Sequence, residues 1–151
     1  MATSAPKIFT QEDRKRLRNW KRRGTYSETA LAKLLYKKGF KVVRIPMSAP
    51  SKGNKIFTPL PDVIARRGLH TYAFEVKKAR YYLTFEKHQI EKLYRFLDEI
   101  IAMPPGFKHP VLAAHFGKKW VLKRLDWCDQ YKLPDSIKIN KRQHTDELDD
   151  K

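Results

Sequence analysis

Glu28, Asp62, Glu75 and Lys77 stand apart in this chain by type and by surroundings. Between Arg14 and Phe85 there are 19 Lys/Arg and only these three acids, where an even spread of the 16 acids would place about seven or eight. Acids kept for solubility would be scattered and interchangeable. Three survivors in a basic half of the chain point to specific tasks. Carboxylates are hard oxygen ligands of the kind that hold magnesium, which keeps several of its waters when bound, one of which can become a nucleophile. A lysine ammonium beside such a site can orient that water or neutralise charge growing on a phosphate. These residue types suit hydrolysis of a phosphodiester.

The elements that must position them can be read from the pattern. Asp62-Val-Ile-Ala65 and Thr71-Tyr-Ala-Phe-Glu-Val76 are strand-like runs around Arg67-Gly68-Leu69-His70, and Gly68 first in a two-residue loop predicts a type II′ hairpin. Counting outward from an Arg67–His70 pair sets Asp62 opposite Glu75, with Cβ atoms about 4.5–5.5 Å apart, where like charges repel. A divalent cation turns that repulsion into coordination. Period-2 alternation sends Lys77 to the face of Glu75. Thr25-Tyr-Ser-Glu28 has the pattern of a capping box opening a helix. Ala30, Leu31, Leu34 and Leu35 follow at helical spacing, and Gly39 is a natural C-terminal cap. Glu28 shares a stripe with Leu31 and Leu35 and is expected to point inward. Each acid has an ordinary reading when taken alone: Glu28 as a cap, Asp62 as a turn residue after Pro61, Glu75 with Lys77 as a solvent-facing strand pair. Those readings do not explain why all three converge with no other acid near.

Elsewhere the chain reads as follows. Residues 1–24 are a basic lead-in, with seven Lys/Arg between Arg14 and Arg23. Phe40–Ile45 reads as a strand, and 46–59 as a loop of Pro, Ser, Gly, Asn and lysine. A second helix is predicted from Phe85 to Ile101, capped by Thr84, with Ile90, Leu93, Leu97 and Ile100 on one face. Met103-Pro-Pro-Gly106 stops it. Val111–Phe116 and Trp120–Leu122 flank Gly117 as another hairpin; after Leu125 periodicity fades, and 141–151 reads as a charged tail. The order α-β-β-β-α-β-β predicts an α/β sandwich with a predominantly antiparallel or mixed sheet.

Composition bounds the function. At 151 residues, 41% hydrophobic and 12% aromatic, the chain is a single-domain length able to bury a core, which excludes a disordered polypeptide. It has no apolar run of the roughly 18 residues a membrane span needs and no apolar segment of a signal peptide at its start. The lone Cys128 excludes an internal disulfide and a cysteine-based zinc site. A soluble, cytoplasmic protein with no membrane partner is expected. The net charge of +17 fits a polyanion, because each phosphate contact releases condensed counterions. A ribosomal or architectural binder would carry the same balance, so charge points to nucleic acid and leaves catalysis open. The five histidines show no metal-ligand spacing. Trp20, Tyr81, Tyr82 and Phe85 could stack on bases or could be ordinary packing aromatics.

Pro61-Asp62, twelve intervening residues, then Glu75-Val76-Lys77 is the signature of PD-(D/E)xK nucleases. With Glu28-Thr-Ala-Leu31, Lys38-Gly-Phe-Lys-Val-Val-Arg44, Pro61-Asp-Val-Ile-Ala65, Phe74-Glu-Val-Lys77 and Gln89-Ile-Glu-Lys-Leu93 in order, residues 24–122 resemble the archaeal-type Holliday junction resolvases. The resemblance implies a restriction-endonuclease-like core, a central mixed five-stranded sheet flanked by helices. The chain is then expected to divide into a basic N-terminal arm over 1–24, a nuclease domain over 25–125 and a C-terminal extension with a charged tail over 126–151. The resemblance implies Glu28, Asp62 and Glu75 as magnesium ligands, with manganese expected to substitute and no small-molecule cofactor. Lys77 would be the catalytic lysine and Ser48 a catalytic serine of the family's mobile loop. Arg44 and Gln89 match DNA-side residues, and Arg22, Arg23, Lys52, Lys55 and Lys78 complete the expected DNA-binding set.

The implied partners are a four-way DNA junction and a second copy of the chain, each copy cutting one strand to leave 5′-phosphate and 3′-hydroxyl ends. The chain departs from the family pattern at Thr29, where Arg usually follows the helix glutamate, and at Ala49, where Gly usually follows the serine. The loop to Asp62 and the basic arm are also longer than usual. Two rival readings stand beside this one. A restriction-like or repair nuclease with the same signature would need base-reading elements, for which so short a chain has little room. A non-catalytic basic nucleic-acid-binding module predicts no role for Lys77 beyond charge and no magnesium dependence.

Overall fold

The turn at Gly68 sets the register on which the sheet is built. A computed structural model describes residues 10–45, 57–129 and 132–148, with the backbone alone at 13 and 16–25. In chain order the elements are α1 (Gln11–Lys37), β1 (Lys41–Arg44), β2 (Val63–Arg67), β3 (His70–Lys78), β4 (Tyr82–Glu86), α2 (Lys87–Ile100), β5 (Lys108–Phe116), β6 (Lys119–Arg124) and β7 (Ser136–Asn140). β2 and β3 pair antiparallel, with Arg67 opposite His70 and Val63 opposite Phe74. Gly68 takes φ +59, and no described non-glycine residue has a positive φ, so the turn is type II′ rather than I′, as expected. β1 adds to β2, β5 runs parallel to β3, and β6 folds back antiparallel on β5. The result is a mixed five-stranded sheet, β1-β2-β3-β5-β6.

Alternation along β3 divides the core between the two helices. Tyr72 and Phe74 join Leu31 and Leu35 of α1, with Phe40, Val63 and Val111, in one apolar cluster. Ala73 falls on the opposite face with Ile90, Leu93 and Leu97 of α2. The central strands β3 and β5 are therefore covered on both sides, as their near-continuous burial shows. Fully burying leucines such as Leu35 and Leu97 stabilises the fold by about 1.5–3 kcal/mol each. No helix of the described residues is long and apolar enough to cross a membrane.

Three expectations are corrected. α1 begins at Gln11 and runs unbroken through Thr25, so Glu28 does not sit in a capping box. The Lys, Arg and Leu residues upstream are good helix formers, and a capping pattern does not stop a helix that can extend past it. Phe85 and Glu86, expected to open the second helix behind a Thr84 cap, end strand β4 instead; α2 begins at Lys87 behind Glu86, with Gln89 completing its capping box. The region after Leu125 is not featureless. β7 pairs with β4 in a two-stranded ribbon, the Asp146 N–H donates to Leu122 O, and Leu148 is buried against the α1 side of the sheet.

Candidate active site

The expected acids meet where β2 begins and β3 ends. Asp62 lies one residue before β2 and is held from three directions. Its N–H donates to Phe74 O at 3.0 Å, its carbonyl accepts from Ile45 N at 3.0 Å, and its Oδ2 accepts from Val76 N at 2.9 Å. The regular β2–β3 register ends at the Val63–Phe74 pair, and the Asp62 N–H also turns to Phe74 rather than Glu75, so Asp62 sits beside the end of β3, near enough for its charge to act on Glu75.

Glu75 is 6% exposed. Its Oε2 lies 2.6 Å from Lys92 Nζ on α2, a close ion pair between a buried carboxylate and a partly exposed ammonium. Burial first, then the nearby Asp62 charge, pushes the Glu75 carboxyl up to about 7; Lys92 and, less strongly, Lys77 pull it back. Glu28 is raised for the same two reasons, burial and Asp62, against the Arg44 guanidinium that donates to its Oε2 at 3.4 Å. Asp62 thus stands electrostatically between the other two acids. Lys77 shares the Glu75 face, as alternation predicts, but its Nζ donates to Thr84 O of β4 at 2.6 Å and lies 5.5 Å from the Phe85 ring centroid.

As the side chains stand, the described residues contain no group of three or more His, Cys, Asp or Glu able to hold a metal ion. Each acid is engaged separately, by Arg44, by the Val76 N–H and by Lys92. The donor chemistry nevertheless fits a hard dication: three carboxylates, two of them driven toward protonation by burial and by the charge of the third, so that a cation among them would relieve both.

A family model described as archaeal Holliday junction resolvase (hjc) matches residues 19–146. The chain belongs to that family. A crossover junction endodeoxyribonuclease of Sulfolobus islandicus rod-shaped virus 1 is 37% identical over 122 residues, 80% of this chain and 94% of that protein. The solved structure of Hjc, a Holliday junction resolvase of the hyperthermophile Archaeoglobus fulgidus, matches with a TM-score of 0.57 at 22% identity, over 78% of this chain and 88% of that one, a likeness of fold. Membership makes the chain a nuclease, of a family in general dependent on a divalent metal.

The remaining residues expected from the resolvase resemblance fall into three groups. Arg44 is at the site, on Glu28. Lys78 lies beside it with Nζ 5.9 Å from the Tyr26 ring centroid, while the Gln89 side chain accepts from the Glu86 N–H at 2.9 Å and caps α2. Arg22 and Arg23 lie on the α1 backbone with side chains outside the described residues, where Ser48, Lys52 and Lys55 also fall.

Two features of this resolvase-family site were not read from the sequence. Lys92 reaches Glu75 only because α2 docks on the sheet; its place between the buried Ile90 and Leu93 was the available signal. Ser27, next to Glu28, has its Oγ 2.9 Å from His115 Nδ1; both are buried, and His115 stacks on Trp120 at 4.0 Å. That contact fastens α1 to β5 beside the acids.

Proposed function

We propose that this chain resolves four-way DNA junctions by magnesium-dependent phosphodiester hydrolysis, leaving 5′-phosphate and 3′-hydroxyl ends, with manganese able to substitute. The observation that carries the reading is the Asp62–Glu75 pair: two neighbouring acids, one buried and raised to about 7 by burial and by the other. Burying a carboxylate is unfavourable unless its charge is matched. A non-catalytic DNA-binding module has no use for such a group beneath a basic surface.

Glu28, Asp62 and Glu75 would hold the magnesium, which when bound supplies positive charge at the phosphate and makes water a better nucleophile. Lys77 lies close enough to oppose protonation of Glu75, and on release from Thr84 O its ammonium can donate to the attacking water or to a phosphoryl oxygen. Lys92 and Arg44 neutralise Glu75 and Glu28 in the metal-free protein and hold them in place. Ser48 is assigned to the same site, and Arg22, Arg23, Arg44, Lys52, Lys55, Lys78 and Gln89 to the DNA. Two copies of the chain present their sites to opposed strands of one junction.

The experiment is an immobile four-way junction and a linear duplex of matched sequence, each incubated with magnesium and with EDTA. Paired nicks in the junction alone, with magnesium alone, are expected. Equal cutting of the duplex would make the chain a general nuclease, and tight binding without any cutting would make it a binding module.

A further inference from the structure

We infer that the β4–β7 ribbon is a second DNA-contact surface, on which exposed Tyr81 and Tyr82 stack on bases laid open at the branch point of a four-way junction. The inference rests on the resolvase reading and assigns how the branch is recognised.

The ribbon begins at the active site. β4 follows β3 after three residues, and Thr84 of β4 accepts the hydrogen bond of the Lys77 ammonium. Tyr82 is two residues back along the same strand, about 7 Å from Thr84 at the usual rise. The inner face is spoken for: Leu83, Phe85 and Ile139 are buried in the cluster under α2. That anchoring leaves the start of the strand outward, where Tyr81 is 63% and Tyr82 61% exposed. Phe85, by contrast, is fully buried, so the aromatic run separates into one core ring and two presented ones.

Each presented ring is held by its own cation, Arg80 Cζ at 5.6 Å from the Tyr81 centroid and Lys138 Nζ at 4.5 Å from that of Tyr82. The Tyr81 carbonyl is fixed as well, accepting from Lys141 N at 2.8 Å. Charge grades along the ribbon. Neither Lys77–Phe85 nor Ser136–Gln143 contains an acid, whereas Glu86 and Asp135 lie at the far end, where Glu86 pairs with Ser136. Flat rings set among cations, on two segments that carry no acid, form the combination that binds stacked bases along a phosphate backbone.

The test uses the full chain in EDTA with an immobile four-way junction carrying 2-aminopurine at the branch, and a linear duplex as control. Tyr81→Ala and Tyr82→Ala should each weaken junction binding roughly tenfold or more, as expected for loss of one base stack. They should also abolish the change in 2-aminopurine fluorescence that wild type produces. Tyr81→Phe and Tyr82→Phe should restore both, duplex affinity should stay close to wild type, and melting should be unchanged because both rings are exposed.

A double alanine variant that binds the junction as tightly as wild type overturns the inference. So does a loss of binding confined to Arg80→Ala and Lys138→Ala, which would make the ribbon a phosphate contact only. These outcomes leave the resolvase reading intact if wild type still prefers the junction. Wild type that binds junction and duplex alike overturns that reading, and the branch-point assignment with it.

Discussion

The Lys92 ammonium reaches to 2.6 Å from the buried Glu75 carboxylate and, with Lys77, opposes the burial and the Asp62 charge that drive Glu75 toward protonation. Lys92 stands in for part of the positive charge the site requires. Lys92→Gln should therefore leave Glu75 as a buried charge with less compensation. At about pH 8 the loss should be roughly 1–2 kcal/mol in urea unfolding with EDTA, toward the low end of the range because Lys92 is partly exposed. At about pH 5 it should shrink, because a protonated Glu75 needs no cation. A loss that is the same at both pH values would mean Lys92 acts through packing alone.

The same shift sets a pH dependence for the metal-free protein. Glu75 is raised in the fold from 4.5 to about 7, so the folded state binds the proton more tightly than the unfolded chain does. Its contribution to stability is present in full below about 4.5 and is lost as pH rises through about 7. Glu75→Gln is uncharged at every pH and removes that dependence. In EDTA the variant should gain stability relative to wild type between about pH 5 and about pH 8. Parallel stability curves for the two proteins would contradict the shift.

Asp62→Asn should abolish cleavage while junction affinity stays equal or rises, since a negative charge facing phosphate is removed. The fold should hold, because an asparagine oxygen can still accept from the Val76 N–H and the backbone bonds to Phe74 and Ile45 are untouched. Stability is expected within about 1 kcal/mol of wild type. Cutting at a near wild-type rate with magnesium would show that the site is misassigned.

What was legible in the sequence is what short-range rules determine. The β2–β3 register from Arg67–His70 to Val63–Phe74, which brings Asp62 to the end of β3 near Glu75, followed from one turn and a residue count, because a II′ hairpin fixes register. The Leu31/Leu35 stripe likewise located the buried face of α1. What failed depended on partners distant in the chain. Tyr82–Glu86 is a strand because Ser136–Asn140, some fifty residues on, pairs with it; the alternating, β-favouring Tyr-Leu-Thr-Phe run is a local signal of it, but its partner is not legible nearby. Lys92 meets Glu75 through helix docking, and Lys77 is diverted to Thr84 O by the same unforeseen strand. The Thr25–Glu28 pattern misled for the opposite reason. It is a real local signal that the upstream helix overrode.

Glu28 provides the sharpest remaining test, and the length of α1 changes what it tests. A capping role is gone, since Glu28 lies deep inside a helix that begins at Gln11. What remains is an ion pair with Arg44 or a place among the magnesium ligands. Glu28→Gln separates them. Its amide oxygen can still accept from Arg44, and removing the charge relieves the burial cost and the repulsion from Asp62 that together raise the Glu28 carboxyl. Partly exposed ion pairs contribute about 0–1 kcal/mol, so the variant should melt within about 1 kcal/mol of wild type. A magnesium ligand tolerates no such exchange, because the neutral amide lacks the charge that holds a hard cation. Single-turnover cleavage at saturating protein should lose most of its rate, junction binding in EDTA should be kept, and raised magnesium should recover part of the loss. Dependence on magnesium concentration is the decisive readout, since a broken ion pair would not be repaired by metal. A variant that folds, binds and cuts as wild type does would remove Glu28 from the site and leave Asp62 and Glu75 as a two-carboxylate centre.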